Sequence, residues 1–216
     1  MFINIHTHFN TGRQIEVVSR TFEDVLTDYF SFGIHPWEID KWESKLDFFA
    51  PFLSMKGCLA VGEIGLDKLK GPDINKQIVV FKRQIEFSEE FNLPVILHCV
   101  KAWNELKLLK RELKPEQPWI FHGFTKSTLT EEVLNEGIYI SIGKTILTSP
   151  TLQSALKTIP LNRLFLETDD AECSIEEIYA KVSELKNIPL SQLQSQLEEN
   201  FKNVFTKWIT GLSALN

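Results

Sequence analysis

The chain has 216 residues, 43% hydrophobic and 24% charged, with a net charge of −6 and a sequence pI near 5.5. That is ordinary globular composition, and the length suits a single barrel-sized domain, residues 1–216, better than two smaller ones. The acidic balance argues against broad contact with a nucleic-acid backbone, no apolar run approaches the ~20 residues that span a bilayer, and three cysteines (Cys58, Cys99, Cys173) without a CxxC pair argue against a disulfide framework.

The N-terminus, Met1 to His6, lacks a charged segment followed by a long apolar stretch. No secretory leader is expected, and a soluble, cytoplasmic location is. Further along, short apolar segments alternate with longer polar segments of helical spacing. Strands are predicted at residues 2–6, 15–19 and 29–34, then a helix at 40–56. A strand at 58–63 precedes a helix at 74–92, with Pro72 just ahead of it. Strand 94–98, helix 102–113, strand 118–122 and helix 129–135 follow. The pattern closes with strand 138–142, helix 151–157, strand 164–168 and helices at 174–186 and 190–210. Ser174 and Glu177 read as a capping box.

Strands alternating with helices imply α/β architecture. A strand count near eight points to a compact TIM-type (β/α) barrel, with a doubly wound sheet as the alternative. The first portion is irregular. Only nine residues, Arg20 to Asp28, separate the second and third predicted strands, whereas a parallel crossover takes a dozen or more. These two segments are therefore expected either to form an antiparallel hairpin or not both to be strands, and the barrel to be reduced or irregular between residues 8 and 35.

All five histidines, His6, His8, His35, His98 and His122, fall at or just beyond predicted strand ends. Barrel enzymes keep their chemistry at that end. His6 and His8 share a strand face by the period-two rule, so two imidazoles are placed to grip one cation. Glu63 ends an apolar strand between Gly62 and Gly65. It reads either as a solvated loop carboxylate or as a buried one that needs cations, bridging two metals. His98 and His122 would each give one nitrogen to a second metal. Asp169 would ligate the first metal and accept a proton from the attacking water. Glu167 reads either as the partner that orients a ligand histidine or as half of a salt bridge in the barrel floor. Four histidines and two carboxylates suit zinc, manganese, iron or nickel better than magnesium.

Several stretches, in this order from end to end, resemble the TatD-type metal-dependent deoxyribonuclease family of amidohydrolase-like barrels. They are Asn4-Ile-His6-Thr-His8, Gly33-Ile-His35-Pro36, Gly62-Glu63-Ile-Gly65-Leu-Asp67, Leu93-Pro94-Val-Ile-Leu-His98, Ile120-Phe-His122-Gly-Phe124 and Leu166-Glu167-Thr168-Asp169. The resemblance implies a TIM-type barrel, two divalent metal ions (Mg, Mn or Zn) and phosphodiester hydrolysis of DNA. It implies that His6, His8, Glu63 and Asp169 hold one metal and that Glu63, His98 and His122 hold the other. It places His35 near the substrate. The chain departs from the family pattern in having Asn4 where aspartate is usual, Lys101 in place of an arginine after His98, and short segments between His8 and His35 and after Asp169.

Lys68, Lys70, Lys101, Lys126 and Lys144 follow predicted strands and read as a positive collar, with Lys101 and Lys126 as the substrate-binding candidates. Trp37 and Trp42 read as loop packing and Trp103 as a stacking candidate. Cys99 reads as structural, and the Phe-rich segment 81–91 as core. The functional expectation is a metal-dependent nuclease or phosphodiesterase acting on single-stranded DNA or nucleotide ends, with Asp169 and Glu63 as catalytic residues and no membrane or obligate protein partner. The alternatives are a metal-dependent amidohydrolase, lactonase or other esterase, and a catalytically decayed metal-binding protein.

Overall fold

The computed structural model describes residues 1–24, 27–40, 42–46 and 48–208. Its strands are β1 (Ile3–Thr7), β2 (Ile15–Arg20), β3 (Phe30–Phe32), β4 (Cys58–Asp67), β5 (Val95–Val100), β6 (Trp119–Phe121), β7 (Tyr139–Ile142) and β8 (Leu164–Leu166). Its helices are α1 (Trp42–Leu46), α2 (Phe49–Ser54), α3 (Ile74–Glu90), α4 (Trp103–Leu113), α5 (Thr130–Asn135), α6 (Pro150–Leu156), α7 (Ile175–Lys186) and α8 (Leu190–Val204). The strands form one eight-stranded parallel sheet in chain order, and a parallel bridge joins Thr7 to Asp169. This is the strand order of a TIM-type barrel. None of the described helices is long and apolar enough to cross a membrane.

Two expectations are corrected. Residues 15–19 and 29–34 do not form a hairpin. β2 pairs parallel to β1 and β3 parallel to β4, and β2 and β3 are neighbours in the sheet. The dozen-residue rule assumes a crossover that carries a helix. With β3 only three residues long, the return path is about 10 Å, and a link of nine residues has a reach of up to about 30 Å. No helix lies between Thr7 and Phe30 among the described residues, which is the reduced first portion that the spacing predicts. The helix expected at 40–56 is instead two short ones. Pro51 is tolerated only in the first turn of a helix, and α2 begins two residues before it. Lys41 and Asp47 of that expected helix, and residues 209–210 of the last one, lie outside the described residues.

The chain forms two compact units, passing from one to the other within β2, within β6 and after Val204. The first holds Met1–Val18 and Ile120–Val204. In it the Tyr179 hydroxyl of α7 accepts from Ile3 N–H at 3.2 Å and donates to Ile3 O at 3.1 Å, which ties α7 to β1. Burial pushes that phenol well above its usual pKa. Asn200 of α8 donates to Leu161 O and Leu164 O at 2.7 and 2.9 Å and anchors the start of β8. Ser174 accepts from Glu177 N–H at 3.3 Å, the serine half of the predicted capping box.

The second unit holds Ser19–Trp119 and the described residues from Phe205 on. Its core is aromatic: Phe32 stacks on Phe52 with centroids 4.3 Å apart, and Phe81 meets Trp119 edge-on at 5.5 Å. Helix α3 also carries two buried glutamines that serve strand ends. Gln84 bonds both backbone groups of Ile34, at 2.7 and 3.1 Å, just before His35. Gln77 bonds both backbone groups of Asp67, at 2.8 and 2.9 Å, where β4 stops. Packing and site construction are thus done by the same helix.

Candidate metal centre

Each unit carries a histidine–carboxylate group. In the first, His6 is fully buried on β1, and His8 follows the strand with its side chain half exposed. Asp169 N–H donates to His6 O at 3.0 Å, and His8 N–H donates to Asp169 O at 3.1 Å. This backbone ladder fixes the three residues beside one another. Asp169 adopts a left-handed conformation (φ 54°) that an aspartate tolerates. Its Oδ1 lies 3.5 Å from His6 Nε2 and 3.4 Å from His8 Nε2. Below this group Asn4 accepts from Thr168 N–H at 3.0 Å and donates to Thr168 Oγ1 at 2.8 Å, and Thr168 donates on to Thr7 Oγ1 at 3.1 Å. The amide of Asn4 suits this network, because the Thr168 hydroxyl proton is already committed to Thr7. His122 packs against His6 with ring centroids 4.4 Å apart. Its Nδ1 is 3.3 Å from Oε1 of the fully buried Glu167, which also accepts from Gly123 N–H at 2.6 Å. With Nδ1–H directed at Glu167, Nε2 carries the lone pair.

In the second unit Glu63 sits within β4 and His98 within β5, both buried. His98 Nδ1 contacts Glu63 Oε1. His35 joins them: its Nε2 is 3.4 Å from Glu63 Oε1 and 3.4 Å from His98 Nδ1. On the other side of His98, Nε2 lies 3.4 Å from Asp67 Oδ2, which accepts from the Trp37 indole N–H at 2.7 Å. Asp67 Oδ1 accepts from Leu69 N–H and Lys70 N–H at 2.7 and 3.0 Å. The Lys70 ammonium stands 3.3 Å from the Trp37 ring centroid.

Both flanking carboxylates stay ionised at neutral pH. Burial works against ionisation of Asp169, but the imidazoles of His6, His8 and His122 around it outweigh that cost and hold the carboxyl far below its usual range. At Asp67 burial is likewise outweighed, by hydrogen bonds from Trp37, Leu69, His98 and Lys70.

Apart from the direct contact of His98 with Glu63, the distances fit a cation better than ion pairs. A charge-assisted N–H···O bond closes to roughly 2.7–2.9 Å, whereas ligands about 2.1 Å from a shared ion in a tetrahedral shell lie roughly 3.4 Å apart. The two Asp169–histidine separations and the His35–Glu63 separation match the second value. Within each of the trios His6–His8–Asp169 and His35–Glu63–His98, one donor atom per residue lies within 4.8 Å of the others. Two nitrogens and one carboxylate per trio suit zinc, manganese, iron or nickel.

Of the five lysines read as a collar, Lys68 is paired with Glu105 at 2.6 Å, Lys144 with Asp170 at 3.1 Å, and Lys70 is stacked on Trp37. Lys101 and Lys126 are exposed. Asp67 and the indole of Trp37 escape the sequence reading. The available signal is parity: Glu63, Gly65 and Asp67 share one face of β4, which is visible only if the strand is carried past Glu63. Because Asp67 bears on the ring nitrogen of His98 opposite Glu63, Asp67→Asn is expected to weaken metal binding about 10- to 100-fold, as read by titration against a competing chelator. Unchanged affinity would show that Asp67 does not orient His98.

Parallel strand order defines a TIM-type barrel, and the histidine–carboxylate trios are groups that could hold a metal ion. The profile described as "TatD related DNase" matches residues 1–206, and the chain belongs to this family. It is 30% identical over 198 residues to the uncharacterized metal-dependent hydrolase YabD of Bacillus subtilis, covering 82% of this chain and 77% of YabD. The crystal structure of YjjV, a TatD homolog from Escherichia coli, superposes with a TM-score of 0.74 at 21% identity, covering 95% of this chain and 98% of YjjV. A TatD-family hydrolase from Entamoeba histolytica gives a TM-score of 0.77 at 19% identity, covering 94% of this chain and 97% of that one. At these identities the two structures establish the shared barrel fold.

Proposed function

We propose that the protein is a metal-dependent hydrolase that cleaves phosphodiester bonds, in single-stranded DNA or at nucleotide ends, within the cytoplasm. The observation that carries this reading is the 3.4–3.5 Å spacing of Asp169 Oδ1 from two histidine nitrogens, with family membership in support. His6, His8 and Asp169 hold one divalent cation, and Glu63 and His98, with His35 beside them, hold another. His122, oriented by Glu167, supplies a further nitrogen. Divalent cations so held act as Lewis acids that ease deprotonation of water at neutral pH and draw charge from phosphate oxygens. Asp169, ionised, accepts the proton of the attacking water at its carboxylate. The exposed ammonium groups of Lys101 and Lys126 attract the phosphate, although as point charges rather than as a bidentate fork. The net charge of −6 favours a short, single-stranded end over a length of duplex.

A second reading keeps the cations and changes the bond to an amide, lactone or other ester. It is favoured by the local engagement of Lys68, Lys70 and Lys144. Release of nucleotides from 3′- or 5′-labelled single-stranded DNA, with Mg²⁺, Mn²⁺ and Zn²⁺ screened, separates the two. Release that is abolished both by chelation and by Glu63→Gln is the expected result. Bound metal without release from either end would sink the phosphodiester reading and move the assignment to amides and esters.

A further inference from the structure

The first unit contains a cavity of about 430 Å³ lined in part by Thr7, Phe9 and Thr168, the chain neighbours of His6, His8 and Asp169. Thr7 and Thr168 form part of its wall, and they belong to the hydroxyl network that ends on Asp169, with Thr7 Oγ1 donating to Asp169 O at 3.3 Å. Phe9 lines it with 54% of its surface exposed. The loop that carries Phe9 is fixed in place. The buried carboxylate of Glu16 accepts from Thr11 N–H and Thr11 Oγ1, both at 2.7 Å, and from Gly12 N–H at 3.2 Å, while Phe9 N–H donates to Thr7 Oγ1 at 3.2 Å. A large apolar ring held in the open on a pinned loop is placed to meet a ligand.

The charge of the lining says which part of a ligand enters. Arg13 is the one cationic side chain there, against Glu16, Glu172 and Glu176. Even with Glu16 satisfied within the loop, the cavity is net acidic and repels a phosphate. It suits a flat, uncharged group whose N–H edges face carboxylates. We propose that this cavity is a nucleobase subsite: the base of the substrate's terminal nucleotide stacks on Phe9 and donates to Glu172 and Glu176, while its phosphate lies at the histidines. The volume falls within the range of small-molecule sites, about 300–1,000 Å³, and admits one base with its sugar.

The inference adds base recognition to the nuclease reading and rests on it for the reaction, but not for binding. The test is calorimetric titration of the metal-loaded protein with deoxycytidine monophosphate and with deoxyribose 5-phosphate. Stacking of one base on one aromatic ring is worth roughly 5- to 150-fold in binding. The wild type is therefore expected to prefer the nucleotide at least about tenfold. Phe9→Ala should remove the preference without changing metal content, and Phe9→Tyr should retain it. Equal binding of the two ligands, no binding of either, or a preference that survives Phe9→Ala overturns the subsite. Labelled DNA ending in a normal or an abasic nucleotide, assayed in parallel, keeps the two proposals apart. A base preference with no DNA cleavage leaves the subsite standing and removes the nuclease. Equal cleavage of both ends without a base preference does the reverse.

Discussion

Asp169→Asn is expected to lower hydrolysis about a thousandfold and to reduce bound metal. Asparagine keeps the shape of the side chain and tolerates the left-handed backbone at this position (φ 54°). The backbone bonds from Asp169 N–H to His6 O and from His8 N–H to Asp169 O do not involve the side chain, so the fold should survive. What disappears is the charge that Oδ1 presents to His6 and His8. Loss of one preorganised group that stabilises developing charge costs about 10²–10³ in kcat, and here the proton acceptor goes with it. Metal analysis alongside a rate assay decides the matter. A variant with full metal and full rate would show that the carboxylate is neither ligand nor acceptor.

The parts of this site that the sequence carries openly are those set by short-range periodicity. His6 and His8 are two residues apart, and each histidine follows a run of apolar, strand-forming residues. Parallel strands covered by helices make such runs easy to find. The hidden parts depend on contacts between distant residues or on exceptions to local rules. Lys68 reads as free cationic charge because its partner Glu105 lies 37 residues further on, and Lys144 because Asp170 lies 26 residues further on. His35 follows a three-residue strand, and nothing local indicates that it stands 3.4 Å from Glu63. Asp67 is hidden because Glu63 reads as the end of a strand that in fact continues for four more residues. The β2–β3 link defeats a length rule that presupposes a helix, and Pro51 splits a helix that its neighbours' spacing makes look continuous. In the last two cases the governing constraint is elementary sterics, present in the sequence but outweighed by a pattern.

Gly65 links the sheet to the site, and Gly65→Ala is the second substitution expected to have a large effect. Gly65 pairs with His98 in the β4–β5 register. A methyl group there would lie 1.9 Å from His98 O, 2.8 Å from His98 C and 2.9 Å from His98 N, all backbone atoms. No rotamer change relieves that clash, so β5 must move away from β4 at the point where His98 meets Glu63. Overpacking costs about 1–3 kcal/mol when side chains can adjust, and a backbone clash at a positive φ should cost at least about 3 kcal/mol. For a chain of this size the melting temperature should fall by roughly 10 °C, with metal lost from the His35–Glu63–His98 trio. Gly137→Ala is the matched control. Gly137 also has positive φ (72°), but a Cβ there meets nothing within 4 Å, so only conformational strain of about 1–2 kcal/mol is added. If the two variants melt together and both keep their metal, close approach of β4 to β5 is not what positions His98. If Gly65→Ala alone falls and loses metal, the glycine is required because the contact between Glu63 and His98 leaves no room for a side chain between the strands.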